Sequence, residues 1–254
     1  MLIRALVVVC KKATPGGLLE VRSAGRTRRL YADGVLHTQY NPNAPLTGDI
    51  WDSLSLSPGF APRHHVQRVL VLGVGGGAAL RHIQRYFKPE FILGVELDPT
   101  RISLAKRFFG LRRKGIELVC ANAVEWLLGY SGEPFDLIID DIFGQAHGSP
   151  VRFIPLHASW TKTLCAALHP QGLLAVNTIT PHELAQSALL CQQQYRKRFR
   201  RGFRFMHPQS ENAIGVFSPF STTQREFRAT VQALEGLHTA RAKKLMQFRI
   251  SSLW

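Results

Sequence analysis

Carboxylates are what this chain lacks most: 17 Asp plus Glu stand against 32 Lys plus Arg, a net charge of +15. Such a field repels polycations and attracts nucleic acid, anionic lipid heads or acidic proteins. Cysteine is also sparse, with Cys10, Cys120, Cys165 and Cys191 far apart and no Cys-x-x-Cys pair. That spacing excludes a disulfide framework and a thiolate zinc or redox centre, and it predicts four buried thiols. No apolar run approaches the roughly 20 residues of a membrane helix. The run that starts at Ala5 is interrupted at Lys11-Lys12, so it reads as a strand rather than a leader. A cytoplasmic chain without a membrane partner is expected. His64, His65, His82, His147 and His157 lack an acid or cysteine at ligand spacing, so no metal is expected. A Gly-x-Ser-x-Gly elbow, a Walker loop, internal repeats and low-complexity tracts are absent too.

What is present organises itself into two parts. Residues 1–57 read as β structure, with strands at 18–22, 27–31 and 35–40 around Ser-Ala-Gly and Ala-Asp-Gly turns, then helical turns at 49–56. Ser57-Pro58-Gly59 marks the boundary, giving an N-terminal β domain at 1–57 and a second domain at 58–254. In the second domain, strands at 68–72, 91–95, 116–120, 135–139 and 173–177 alternate with helices at 78–86, 99–109, 123–128, 152–168 and 182–199. The strands are continuous apolar runs, as a parallel sheet covered on both faces requires. A hairpin at 203–206 and 213–217 and a basic helix at 224–248 complete the expectation. The fold class is α/β, a Rossmann-like doubly covered sheet preceded by a small antiparallel domain.

The densest information lies between residues 69 and 99. Val69-Leu-Val-Leu breaks into Gly73-Val-Gly75-Gly76-Gly77, a helix follows, and a second apolar run ends on Glu96-Leu97-Asp98-Pro99. Strand, glycines, helix, strand and acid in that order form a nucleoside-binding βαβ unit. The glycines let backbone approach a ligand, the helix N-terminus offers unpaired N–H groups, and Glu96 can accept both hydroxyls of a ribose. Gly73-x-Gly75-x-x-Ala78 also satisfies the dinucleotide fingerprint, so NAD stays open on this motif alone. Charge clusters at Arg26–Arg29, Arg101–Lys114 and Tyr195–Arg204, where Tyr195, Phe199, Phe203 and Phe205 interleave with the bases. That pattern suits either nucleic-acid binding or the buried face of an amphipathic element.

The order of elements resembles the seven-stranded class I methyltransferase fold. Within it, Leu30-Tyr-Ala-Asp33-Gly34-Val-Leu-His37-Thr38 ahead of the glycine turn resembles the spermidine synthase branch, the polyamine aminopropyltransferases. Leu72-Gly73-Val-Gly75-Gly76-Gly77 resembles that branch's glycine turn, Val95-Glu96-Leu-Asp98 its ribose motif, and Phe135-Asp136-Leu-Ile-Ile-Asp140-Asp141 the strand ending on its catalytic aspartate. The resemblance implies an adenosyl sulfonium cofactor, S-adenosylmethionine or its decarboxylated form, held by Gly73, Gly75, Gly76, Gly77, Glu96, Leu97, Asn122, Ala123 and Asp140. Asp141 is the implied catalytic residue. The implied activity is aminopropyl transfer to an amine that is not putrescine. S-adenosylmethionine-dependent methyl transfer is the alternative, and a non-catalytic cofactor- or RNA-binding protein the second alternative. The partners are then a small-molecule amine or other methyl acceptor, with nucleic acid through the basic segments and a homodimer left open.

Departures from the branch pattern carry weight. Gly76 stands where the branch has an aspartate that holds the aminopropyl amine, and Gly144 where it has a second aspartate for the polyamine. His37 replaces a glutamine, Ile50-Trp51-Asp52 replaces a Tyr-His-Glu gate, and Asn122 replaces the aspartate that receives the adenine amino group. Glycine at 76 is expected to leave room for a methionine carboxylate, which would suit methyl transfer. The loop 144–150 is expected to act as a lid over the acceptor.

Overall fold

A computed structural model describes residues 6–44, 46–146 and 149–254. Four antiparallel strands come first: β1 (Val7–Thr14), β2 (Gly17–Ala24), β3 (Thr27–Ala32) and β4 (Val35–Tyr40), joined by tight turns in the order β1-β2-β3-β4. Leu19, Val21, Leu30, Ala32 and Tyr40 bury one face of this sheet against Leu104 and Phe109 of the second body. Helix α1 (Trp51–Leu56) and a 3-10 turn (Ser57–Phe60) follow. Leu46, Ile50, Leu54, Leu56 and Phe60 lie in the same apolar cluster as Val69 and Val71, so by packing this stretch sides with the larger body.

The alternation then runs β5 (Arg68–Leu72), α2 (Ala78–Tyr86), β6 (Phe91–Glu96), α3 (Pro99–Phe108), β7 (Ile116–Cys120), α4 (Ala123–Leu128) and β8 (Phe135–Asp140). A short antiparallel ribbon comes next, β9 (Gly144–Ala146) with β10 (Ser149–Val151), then α5 (Ala158–Ala167) and β11 (Leu168–Thr178). Residues 147 and 148 of the expected lid lie outside the described residues. Three short helices follow, α6 (Pro181–Ala185), α7 (Ala188–Cys191) and α8 (Gln193–Arg198), before β12 (Arg201–Met206), β13 (Ala213–Ser218), α9 (Gln224–Gln232), α10 (Ala240–Leu245) and β14 (Arg249–Ser252). The main sheet has the order β14-β12-β13-β11-β8-β5-β6-β7.

The doubly covered sheet is visible in β5. Val69 and Val71 enter the cluster formed with α1 and α2, while Leu70 and Leu72 enter the cluster formed with α5. Side chains of a strand alternate between faces, so an unbroken apolar run is what two buried faces demand. Small antiparallel sheet and Rossmann-like body match the expected fold class. Several details differ. The main sheet has eight strands rather than seven, because Arg249–Ser252 adds an edge strand to β12. The expected helix at 224–248 is two shorter helices, since Thr223 and Thr239 each cap a new helix start and Gly236 lies between at φ +77°. The expected helix at 182–199 divides into three, as Ser187 and Gln192 leave helical conformation. Cys120 and Cys191 are exposed and Cys10 and Cys165 only partly buried, contrary to the expected burial of all four. Tyr195, Phe199, Phe203 and Phe205 are buried, which favours the amphipathic reading of that run over stacking on nucleic acid.

Candidate active site

Parallel register assembles the candidate residues. Val95, Leu72, Asp140 and Val176 form one row across β6, β5, β8 and β11. Glu96, Gly73, Asp141 and Asn177 are therefore the next row, at the C-terminal edge. β5 is followed in sequence by β6 on one side, yet β8 pairs on its other side, so the chain reverses direction across the sheet at β5. Crevices form at such switch points, outside the carboxyl ends of the strands. Gly73 has φ +85°, and a Cβ there would stand 2.2 Å from the Asp141 carbonyl oxygen. Only glycine lets these two strand ends approach so closely.

Glu96 holds the glycine turn from within. Its Oε2 accepts from the N–H groups of Val74 (3.1 Å) and Gly75 (3.0 Å), and Oε1 accepts from Asp98 N–H (3.1 Å). A carboxylate offers about four lone-pair sites, so one is left for a ribose hydroxyl rather than the two expected. The turn closes with Gly76 N–H donating to Thr38 Oγ1 (2.8 Å) and Gly77 N–H to Val74 O (2.8 Å). The first turn of α2 keeps N–H groups that no intrahelical carbonyl can reach. Leu97 is 68% exposed beside Glu96, where its side chain is free to pack on an apolar ring. Asn122 caps α4, its side-chain oxygen accepting from Val124 N–H (2.9 Å) and Glu125 N–H (3.4 Å), with partly buried Ala123 beginning the helix. A glycine cradle, one open carboxylate valence, an exposed leucine and a capped Asn on neighbouring strand ends fit an adenosyl group.

The two aspartates of β8 separate into different environments. Asp140 is fully buried; its Oδ2 accepts from Arg152 Nη2 and from Trp160 Nε1 (2.7 Å). Successive strand side chains point to opposite faces, so Asp140 is turned into the core and the structure does not bring it to the cofactor edge. Asp141 instead accepts from Asn177 Nδ2 (2.7 Å), whose Oδ1 in turn accepts from Asn212 Nδ2 (3.0 Å). Arg152 Nη1 also donates to the Asn177 carbonyl at 2.8 Å, so one guanidinium braces both chains of contacts. Burial pushes the Asp141 carboxyl up to about 7, the charges of Asp140 and Glu96 adding to the rise while Asn177 and Arg152 oppose it. Arg152, Trp160, Asn177 and Asn212 were not among the expected site residues. Asn177 was the most legible of them, as a polar residue ending an apolar strand in the same row.

A match to the spermine/spermidine synthase domain covers residues 54–223. The chain belongs to the spermine/spermidine synthase family. Among curated relatives, polyamine aminopropyltransferase 2 of Caldanaerobacter subterraneus is 27% identical over 140 residues, 54% of this chain and 44% of that protein. The polyamine aminopropyltransferase of Vibrio vulnificus is 24% identical over 190 residues, 72% of this chain and 59% of its own length. The chain thus matches less than two thirds of these relatives. A probable spermidine synthase from Corynebacterium glutamicum superposes with a TM-score of 0.71 at 16% identity, covering 96% of this chain and 91% of that one. Human methyltransferase-like protein 13, in complex with SAH, gives 0.58 at 17% identity over 78% and 92%. At these identities the likeness is one of fold.

Where this member departs from the synthase pattern, neighbouring side chains occupy the space. A Cβ on Gly76 would lie 2.8 Å from Thr38 Cγ2 and 3.2 Å from Phe109 Cε1. The room expected there for a methionine carboxylate is taken by the N-terminal sheet. A Cβ on Gly144 would lie 1.9 Å from the Phe153 ring, itself 59% exposed. Asp52 is buried, accepting from Thr47 N–H (3.1 Å), Thr47 Oγ1 (2.8 Å) and Gly48 N–H (2.8 Å), so it braces a turn. Burial raises its carboxyl to about 6. His37 stands 3.4 Å from Arg101, and burial followed by that charge lowers its imidazole to about 4. It is neutral at physiological pH.

Proposed function

We propose that this protein is a transferase that moves an aminopropyl group from decarboxylated S-adenosylmethionine to an amine. The observation that carries the reading is Asp141: a carboxyl raised to about 7, at the C-terminal end of β8, beside the glycine turn. An attacking amine must lose its proton, and a base poised near neutrality accepts it most effectively. Asn177 fixes one Asp141 oxygen and leaves the other to face the acceptor. Glu96, Asn122 and Leu97 would hold ribose and adenine, and the first turn of α2 would line the sulfonium side. When bound, the sulfonium supplies a carbon activated by a neutral leaving thioether. The residues' share of the chemistry is positioning and proton removal.

The acceptor is an amine without a second ammonium close to the first. Of the two carboxylates whose charge acts on Asp141, Asp140 is paired with Arg152 and Glu96 holds the glycine turn. Phe153 packs where a further acid would stand. Putrescine would therefore be a poor acceptor, as expected for a protein of net charge +15. Methyl transfer is the second reading, supported by the weaker demand it places on carboxylates. The test is incubation with S-adenosylmethionine or its decarboxylated form and a panel of amines, followed by identification of the product nucleoside. Methylthioadenosine supports aminopropyl transfer, S-adenosylhomocysteine supports methyl transfer, and binding of NAD alone in calorimetry would overturn both.

A further inference from the structure

The outer face of α2 forms a second concave feature, separate from the strand-edge site. Arg81, Gln84 and Arg85 lie at positions i, i+3 and i+4 of that helix, on one face. With Tyr40, Pro42, Arg112, Arg113 and Lys114 they line an open groove of about 570 Å³. Five cations line this groove and no carboxylate does. Among the described residues none of the five takes part in an ion pair.

Two of the guanidinium groups are nevertheless held in place. Arg81 donates to Tyr40 Oη (3.1 Å) and Gln84 Oε1 (3.0 Å), and Arg85 Nη1 lies 3.4 Å and 3.3 Å from the carbonyls of Pro42 and Ala44. Gln84 Nε2 in turn donates to the Lys114 carbonyl, tying the helix to the 110–115 loop. Neutral acceptors orient these cations without neutralising them. Arg81 Nε is buried with no hydrogen-bond partner, so the charge of this guanidinium is only partly satisfied by its neutral acceptors. Five like charges around one concavity, two of them held in place, repel one another unless an outside anion enters.

Arg28 of β3 pairs directly with Tyr40 of β4, but its guanidinium turns to Ser23 Oγ and Gly25 O and Arg29 lies on the opposite face of that sheet, so the groove's charge comes from its own five cations. Tyr40 itself is buried, so no exposed aromatic offers a stacking surface. Five cations spread over an open groove of this size, without stacking rings, match a repeating phosphodiester rather than a base or a single compact phosphate. We propose that this groove binds the phosphate backbone of a nucleic-acid strand, independently of base sequence and of the transferase site.

The test uses the whole protein and a fluorescein-labelled 20-nucleotide oligouridylate, with anisotropy measured from low to high salt. The R112E/R113E/K114E variant lies on the exposed loop and is compared with R225E/R228E/K243E, which makes the same change in charge on exposed positions of α9 and α10. The expected result is a loss of at least tenfold in affinity for the first variant and less than threefold for the second. The slope of log affinity against log salt should fall by about 2 for the first, at roughly 0.7 per phosphate contact on a single strand. The neutral variant R112Q/R113Q/K114Q, checked to melt like the parent, should fall between. Equal losses in both charge-reversal variants, no binding by the parent at low salt, or tripolyphosphate binding as tightly as the oligonucleotide would each overturn the proposal. Nucleoside binding at the strand edge is measured separately, so this proposal and the transferase reading fail independently.

Discussion

The strand edge and the outer groove of α2 treat charge in opposite ways. At the edge, Glu96 takes three backbone N–H groups and Asp141 takes Asn177, while just beneath it in the core Asp140 meets Arg152. In the groove, five cations are left without counter-charge, two of them, Arg81 and Arg85, oriented by neutral atoms. The difference teaches where binding energy can come from. A compensated site keeps only a few open valences and selects by shape and by one tuned proton, whereas an uncompensated site selects by charge and weakens with salt.

The sharpest way to break this comparison is to alter the tuned proton. Asp141→Asn should lower turnover by about 10²- to 10⁴-fold, the usual range for a lost general base. Nucleoside affinity in calorimetry should be unchanged, and a parallel loss of affinity would remove Asp141 from the proton role. Compensation itself is tested at Arg152. Arg152→Ala leaves a buried carboxylate unpaired and should cost about 3–5 kcal/mol in urea unfolding; a cost below 1 kcal/mol would show that Asp140 is held by Trp160 alone.

Glu96→Ala should weaken nucleoside binding by about 1.5–3 kcal/mol, the worth of a charge-assisted hydrogen bond. Because the same carboxylate holds Val74 and Gly75, the melting temperature should fall with it. Unchanged nucleoside affinity would make Glu96 a brace only. Gly76→Ala should cost about 1–3 kcal/mol of stability, since its Cβ would press on Thr38 and Phe109. A silent substitution would show that the N-terminal sheet yields there, restoring the room expected from the sequence.

The smallest expected effect is a matter of sign. Asp141 in the folded protein holds its proton up to about pH 7, whereas an ordinary aspartate loses it near 3.8. Between those values the folded form binds more protons than the unfolded one, so stability contributed by this group falls as pH rises through the window. Asp141→Asn should therefore melt a few degrees above the parent at pH 8 and match it at pH 4. A variant that melts lower at pH 8 would mean that the charge of Asp141 is stabilising.

The glycine turn, the acid ending the second strand and Asp141 were legible because each depends on local chemistry. Backbone at φ +85° with another strand 2.2 Å from any Cβ admits only glycine, and a carboxylate at a parallel strand end has few purposes. Helix limits at 182–199 and 224–248 were less legible, since capping at Ser187, Thr223 and Thr239 competes with an unbroken helical pattern. Lining the groove brings Tyr40, α2 and the 110–115 loop together from three separate stretches, which no spacing rule reports.

Sequence by itself determined the α/β alternation, the small antiparallel sheet ahead of it, the glycine turn with the carboxylate that follows it and the excess of positive charge. These follow from periodicity, glycine stereochemistry and residue counts, all of which act over a few residues or over none. Tertiary structure alone decided which aspartate of the adjacent pair faces outward, that Thr38 and Phe153 fill the places of two absent acids, and that Asn177 steadies Asp141. The physical reason is register: a one-residue step along a strand exchanges core for surface. Partners such as Thr38 and Gly76, 38 residues apart in the chain, meet only once the N-terminal sheet has packed.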